Sequence, residues 1–134
     1  MGRVAISGGE HEYTLAGFRQ ALDLGAFDIA QFDVNRVGGI TAGKKIADLC
    51  EAHDVAVIPH AGQMHNYHVS MSSYAAPISE YFPKVPVEVG NELFWCIFDG
   101  EPVAKDGAVN LDDHLPGFGL NLKTPDPAEF RLTS

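Results

Sequence analysis

The chain of 134 residues predicts an α/β fold of repeated βα units around a parallel sheet, and two observations carry that prediction. Short apolar runs, RVAISG, FDIAQFDV and VAVIP, alternate with stretches of helical periodicity joined by short turns. Polar residues also stand at the ends of successive strand-like segments: Glu10 closes RVAISGGE, Asp33 sits in FDIAQFD, His60 closes VAVIPH and Glu80 sits in ISEYF. In a (β/α) barrel the C-terminal ends of the strands converge on one face, so side chains distant in sequence meet around one substrate. A complete barrel needs about 250 residues, so one domain or part of one is expected.

RVAISG is ended by paired glycines. Thr14 can cap a helix in which Leu15, Phe18 and Leu22 recur at helical spacing until Gly25. After the strand FDIAQFDV, Thr41 follows Gly38 and Gly39 and can cap a second helix. That helix turns Ile46, Leu49 and Cys50 inward and Lys44, Lys45, Asp48 and Glu51 outward. VAVIP reads as a strand buried on both faces. Tyr67 to Ala76 predicts a third helix stopped by Pro77, with ISEYF as the next strand. From Pro83 the pattern changes: VPVEVG, LFWCIF and the stretch from Asp99 to Gly119 read as short strands and loops. Trp95, with Phe94 and Phe98, is expected in packing rather than on a ligand platform.

Nine basic residues against eighteen acidic ones give a net charge of −9. That balance repels phosphate backbones and anionic lipid, and no basic patch offsets it, so nucleic acid is not an expected partner. The start of the chain lacks a signal pattern, and no apolar run approaches the roughly 20 residues that span a bilayer. The expectation is a cytoplasmic protein with no membrane partner. Cys50 and Cys96 have no CxxC spacing and are expected as free, buried thiols.

Each strand-end residue also has an ordinary reading. Glu10 can be a solvated turn residue, Asp33 can cap the next turn, His60 can be a structural histidine, and Glu80 beside Tyr81 and Phe82 fits a strand edge. His60, His65 and His68 form H-x4-H-x2-H, a spacing open to a transition metal. Gly38-Gly39 precedes a helix, yet there is no GxGxxG and no GK[ST], so a tight turn suffices and no nucleotide is expected.

The segments SGGEHEYT, QFDVNRVGGIT, IPHAGQMHNYH and EYFPKVPVEVGNELF, followed by DG and PGFGL, resemble the C-terminal part of the enolase superfamily, mandelate racemase subgroup. The resemblance runs from Gly8 to about Leu122. It implies the C-terminal half of a TIM-type (β/α) barrel over residues 1–83, with an irregular C-terminal tail of short strands and loops over residues 84–134.

The resemblance also implies roles. Glu10 matches a carboxylate ligand of an essential Mg²⁺, a hard cation that takes oxygen ligands. Asp33 and His60 match a dyad in which the carboxylate orients the imidazole to take the substrate's α-proton. Glu80 matches the acid that helps to hold the substrate carboxylate, and His11, His65 and His68 are expected near the substrate. The implied reaction is dehydration of a small acid sugar, an L-rhamnonate-like aldonic acid, to the 2-keto-3-deoxy acid through an enediolate. His60 is then also an acid for the departing hydroxyl. Other acid-sugar dehydration or racemisation in the subgroup, and a fragment without catalysis, are the alternatives. The family has a capping domain and earlier strands bearing two more acidic ligands, which this sequence does not contain. Association is therefore expected, either as a homo-oligomer or with the missing half, across the open edges of the first strand and ISEYF.

Overall fold

The computed structural model describes residues 4–86 and 93–124. The chain divides into two compact units, Met1–Glu80 and Tyr81–Ser134.

In the first unit the elements alternate: β1 (Ser7–Gly8), α1 (Leu15–Asp23), β2 (Ile29–Ala30), α2 (Ile40–Ala52), β3 (Ala56–Val57) and α3 (Met64–Met71). The strands form a parallel sheet in the order β1-β2-β3, with Ser7 opposite Ile29 and Ile29 opposite Ala56. Parallel bonding continues past the short strands: Gln31 N–H donates to Gly8 O at 2.7 Å, Ile58 N–H to Ala30 O at 3.0 Å and His60 N–H to Phe32 O at 2.9 Å. Those rungs hold Glu10, Asp33 and His60 at the same end of the sheet.

Thr14 caps α1 as its position predicts, its hydroxyl accepting from Gly17 N–H at 3.0 Å. Phe18 and Leu22 of α1 are buried with Phe32, Val34, Ile46, Ala47, Cys50, Val57 and Val69 in one core. The second helix starts two residues earlier than expected. Gly39, at φ 96°, is its N-cap, so Thr41 lies inside the first turn and makes no cap. Ile46 and Cys50 face inward as predicted, while Leu49 is only half-buried.

Two close approaches set the packing. Gly9 has φ 110°, and a Cβ there would lie 2.8 Å from the Phe18 ring, so only glycine lets the chain turn over Phe18 into Glu10. A Cβ on Gly43 of α2 would lie 3.2 Å from both Phe32 and Val34. Gly43→Val should therefore overpack the helix against the sheet and cost about 1–3 kcal/mol, read as a lowered urea midpoint. An unchanged midpoint would show that the helix can back away freely.

The third helix runs over Met64–Met71 rather than from Tyr67 to Ala76. Its end comes early because the chain turns at Ser72 and Ser73, with Ser73 N–H donating to Ser70 O and Ala76 N–H to Ser73 O. ISEYF is not a strand. The segment meets β3 where Val57 N–H donates to Ala75 O at 2.8 Å, and Pro77, lacking an N–H, interrupts any ladder beyond that rung. Val4, Ile6 and Ile78 are exposed.

In the second unit LFWCIF is mostly helix rather than strand: α4 covers Leu93–Ile97, followed by β4 (Phe98–Asp99), which pairs antiparallel with β5 (Asn121–Leu122). Trp95 is buried and its Nε1–H donates to Phe82 O at 3.1 Å, while Lys123 Nζ donates to Trp95 O at 2.9 Å. The part of VPVEVG at residues 87–90 lies outside the described residues. Among the described residues no helix is long and apolar enough to cross a membrane.

Candidate functional site

Glu10, Asp33 and His60 meet at the C-terminal end of the sheet. Asp33 is 5% exposed and divides its carboxylate between two tasks. One oxygen, Oδ1, accepts from Asn35 N–H at 2.8 Å and closes a local turn. The other, Oδ2, lies 3.3 Å from His60 Nδ1 and 3.6 Å from Arg36 Nε. The turn-capping reading of Asp33 and the dyad geometry thus coexist on one side chain.

The second nitrogen of His60, Nε2, lies 2.9 Å from Glu10 Oε2. A carboxylate oxygen thus stands beside each ring nitrogen, Asp33 at Nδ1 and Glu10 at Nε2. Glu10 is 40% exposed, and its other oxygen lies 2.9 Å from His11 Nε2. Arg36 Nη1 donates to Glu10 O at 2.8 Å and lies 3.2 Å from His11 Nδ1. His11, 73% exposed, is therefore held at the rim by Glu10 and Arg36.

Glu80 joins the group through the backbone. Its Oε2 accepts from Ala61 N–H at 2.6 Å, bracing a residue in the left-handed region at φ 72°. That conformation costs a non-glycine residue about 1–2 kcal/mol and sits directly after His60. Tyr67 supports the same loop, its hydroxyl donating to Gly62 O.

The first turn of α3 carries His65, and its last turn carries His68, half-buried. Burial lowers the His65 pKa from its ordinary value, and the charge of Asp33 opposes that shift. The unfolded chain therefore binds this proton at higher pH than the folded chain does. Stability is full above about pH 6.5 and falls as pH drops from there toward the folded-state pKa. His65→Gln should flatten the fall in thermal midpoint over that acid window, and an equally steep fall in the variant would contradict the assignment.

A transition-metal site on the three histidines is not what the structure assembles. Among the described residues, the ligand atoms that gather to metal-binding separations belong to Asp112, Asp113 and His114, exposed in the second unit. For a hard cation such as Mg²⁺, the carboxylate beside the His60 ring that reaches solvent is that of Glu10. Its oxygens face His60 and His11 at the partly exposed strand end, whereas Asp33 is buried and bonded to Asn35 and His60. Mg²⁺ commonly takes one or two protein carboxylates, with water and substrate oxygens for the rest.

Sequence reasoning missed Arg36 and Asn66. Asn66 is 1% exposed, accepts from Val34 N–H at 3.2 Å and donates to His60 O at 2.6 Å. Both residues lie within the segments already singled out, but their partners include backbone atoms, which no side-chain pattern advertises. Neither cysteine belongs to the site: Cys50 and Cys96 are free and buried, and burial pushes the Cys50 thiol up to about 12.

Residues 1–126 match the family described as enolase C-terminal domain-like. The L-rhamnonate dehydratase of Saccharopolyspora erythraea is 40% identical over 116 residues, which make up 85% of this chain and 29% of that protein. The crystal structure of L-rhamnonate dehydratase from Gibberella zeae is similar at a TM-score of 0.77 and 36% identity, over 95% of this chain and 32% of that one. A structure of rhamnonate dehydratase from the same organism complexed with Mg is similar at a TM-score of 0.74 and 34% identity, over 94% of this chain and 31% of that one. The chain thus spans 29% of the length of curated relatives that it matches.

Proposed function

This chain belongs to the enolase C-terminal domain-like family, with part of that family's (β/α) barrel, and on that premise we propose that it supplies the acid-base centre of an acid-sugar dehydratase acting on L-rhamnonate or a close aldonic acid. The observation that carries the reading is the placement of His60 between two carboxylates, with Nδ1 at 3.3 Å from Asp33 and Nε2 at 2.9 Å from Glu10.

Asp33 holds Nδ1–H, which leaves Nε2 of the neutral ring as the base. Nε2 takes the proton from C2 of the aldonic acid, and the electrons of that C–H bond pass into the enediolate. The same nitrogen returns a proton to the C3 hydroxyl as the C3–O bond breaks, so water leaves. The resulting enol becomes the 2-keto-3-deoxy acid. Glu80 braces the loop at Ala61, and its carboxyl is assigned to the substrate carboxylate end of the site.

Glu10 would hold Mg²⁺ as one of its ligands; when bound, the ion would neutralise the substrate carboxylate and stabilise the developing enediolate. Further ligand positions fall to the rest of such an enzyme or to a second copy of the chain. We assign the chain to association of that kind, with a small-molecule acid sugar as substrate. The relatives named as L-rhamnonate dehydratases support the substrate class.

The test is a panel of aldonic acids with Mg²⁺, using the purified chain alone and mixed with the part of the Saccharopolyspora erythraea relative that the chain does not cover. The expected result is 2-keto-3-deoxy acid from L-rhamnonate in at least one of the two arms. Absence of product from every aldonic acid in both arms would overturn the reading.

A further inference from the structure

We propose that Asn66 is a positioning residue that sets the Asp33–His60 contact by replacing one rung of the sheet with its side-chain amide, an inference that rests on the dyad role assigned above. The ladder between the second and third strand segments runs through Ile58 N–H to Ala30 O and His60 N–H to Phe32 O. In a parallel ladder the next rung would be Val34 N–H to the carbonyl of His60. Instead the amide of Asn66 stands between those two groups. Its Oδ1 accepts from Val34 N–H at 3.2 Å, and its Nδ2 donates to His60 O at 2.6 Å.

The orientation of this amide is set by chemistry, because only the oxygen can accept from an N–H and only the NH₂ can donate to a carbonyl. The side chain is 1% exposed, so loss of either bond leaves a buried backbone group without that partner. Helix α3 fixes Asn66 from behind, with Ser70 Oγ donating to Asn66 O at 3.1 Å. Val34 directly follows Asp33, and His60 supplies the carbonyl itself. One rigid amide therefore spans the main chains of both dyad residues where their side chains meet at 3.3 Å.

The experiment uses the purified chain of 134 residues, without substrate or metal, so its failure is distinct from failure of the proposed reaction. NMR at fixed alkaline pH reads the Nδ1 proton of His60, identified by its one-bond coupling to ¹⁵N. The expected result is a resolved, slowly exchanging Nδ1–H in the unaltered chain. Asn66→Ala removes both bonds, and Asn66→Asp keeps an acceptor for Val34 while losing the donor to His60. Both variants are expected to lose the resolved proton while the amide signals of α1 and α2 persist. A purely structural Asn66 would lower the melting temperature and leave the Nδ1–H signal of the folded molecules in place.

Retention of that signal in the folded variants overturns the proposal. Asn66→Asp decides alone if Asn66→Ala does not fold. Hydrogen exchange in the unaltered chain adds a measurement free of substitution: the Val34 amide is expected to exchange slowly, and rapid exchange would also overturn the proposal.

Discussion

His60→Asn is expected to cut turnover of L-rhamnonate by about 10²–10⁴-fold, the range of a positioned acid-base group, while leaving the fold intact. The asymmetry follows from where His60 stands. Its backbone N–H holds the rung to Phe32 O at 2.9 Å and its carbonyl accepts from Asn66 at 2.6 Å, and both bonds survive the substitution. Asparagine can still offer Asp33 an N–H, but it has no basic nitrogen to take the C2 proton. The check is the rate of 2-keto-3-deoxy acid formation beside the urea midpoint of the same preparation. Equal loss in both would make His60 a structural histidine, the bland reading that its strand-end position also allowed.

The largest effect on stability is expected from Phe18→Ala, at about 3–5 kcal/mol. Phe18 is fully buried, and its ring meets Phe27 and Phe32 edge-on at centroid distances of 6.2 and 5.9 Å. No small neighbouring side chain can fill the space of that ring, so a cavity should remain between α1 and the sheet. Because the turn at Gly9 closes directly over Phe18, the substitution should also loosen Glu10. Urea unfolding reads the first effect. A cost below about 1 kcal/mol would mean that the unit collapses around the site and that the core is less tightly specified than its burial indicates.

The order of strands and helices was legible because its signals are local. Thr14 announces α1 through its cap, and the apolar spacing of Phe18 and Leu22 follows from the helical repeat. Thr41 misled because Gly39 adopts a positive φ and begins the helix without a side-chain cap. ISEYF misled for a different reason: a strand exists only with a ladder, and composition says nothing about whether Pro77 and Glu80 will leave the edge of β3. LFWCIF, rich in residues that favour strands, forms α4 before β4, a case of context overriding propensity.

In the site, Glu10, Asp33 and His60 were visible as polar groups closing apolar strands, and parallel register brings them to one end of the sheet. What the pattern could not convey was the division of labour. Asp33 spends one oxygen on its own turn, and Glu80 reaches Ala61 N–H through a bond that carries no side-chain signature. Arg36 and Asn66 act partly on backbone carbonyls and amides, so they were recognisable only once the strands had been placed side by side.

The most direct measurement is the fate of the C2 proton during turnover of L-rhamnonate deuterated at C2, with the chain complemented as above and Mg²⁺ present. The expected result is a slower reaction for the deuterated substrate than for the protiated one, with product formation lost in His60→Asn. Product formed at the same rate from both substrates and unaffected by the substitution would contradict the assignment of His60 as the base.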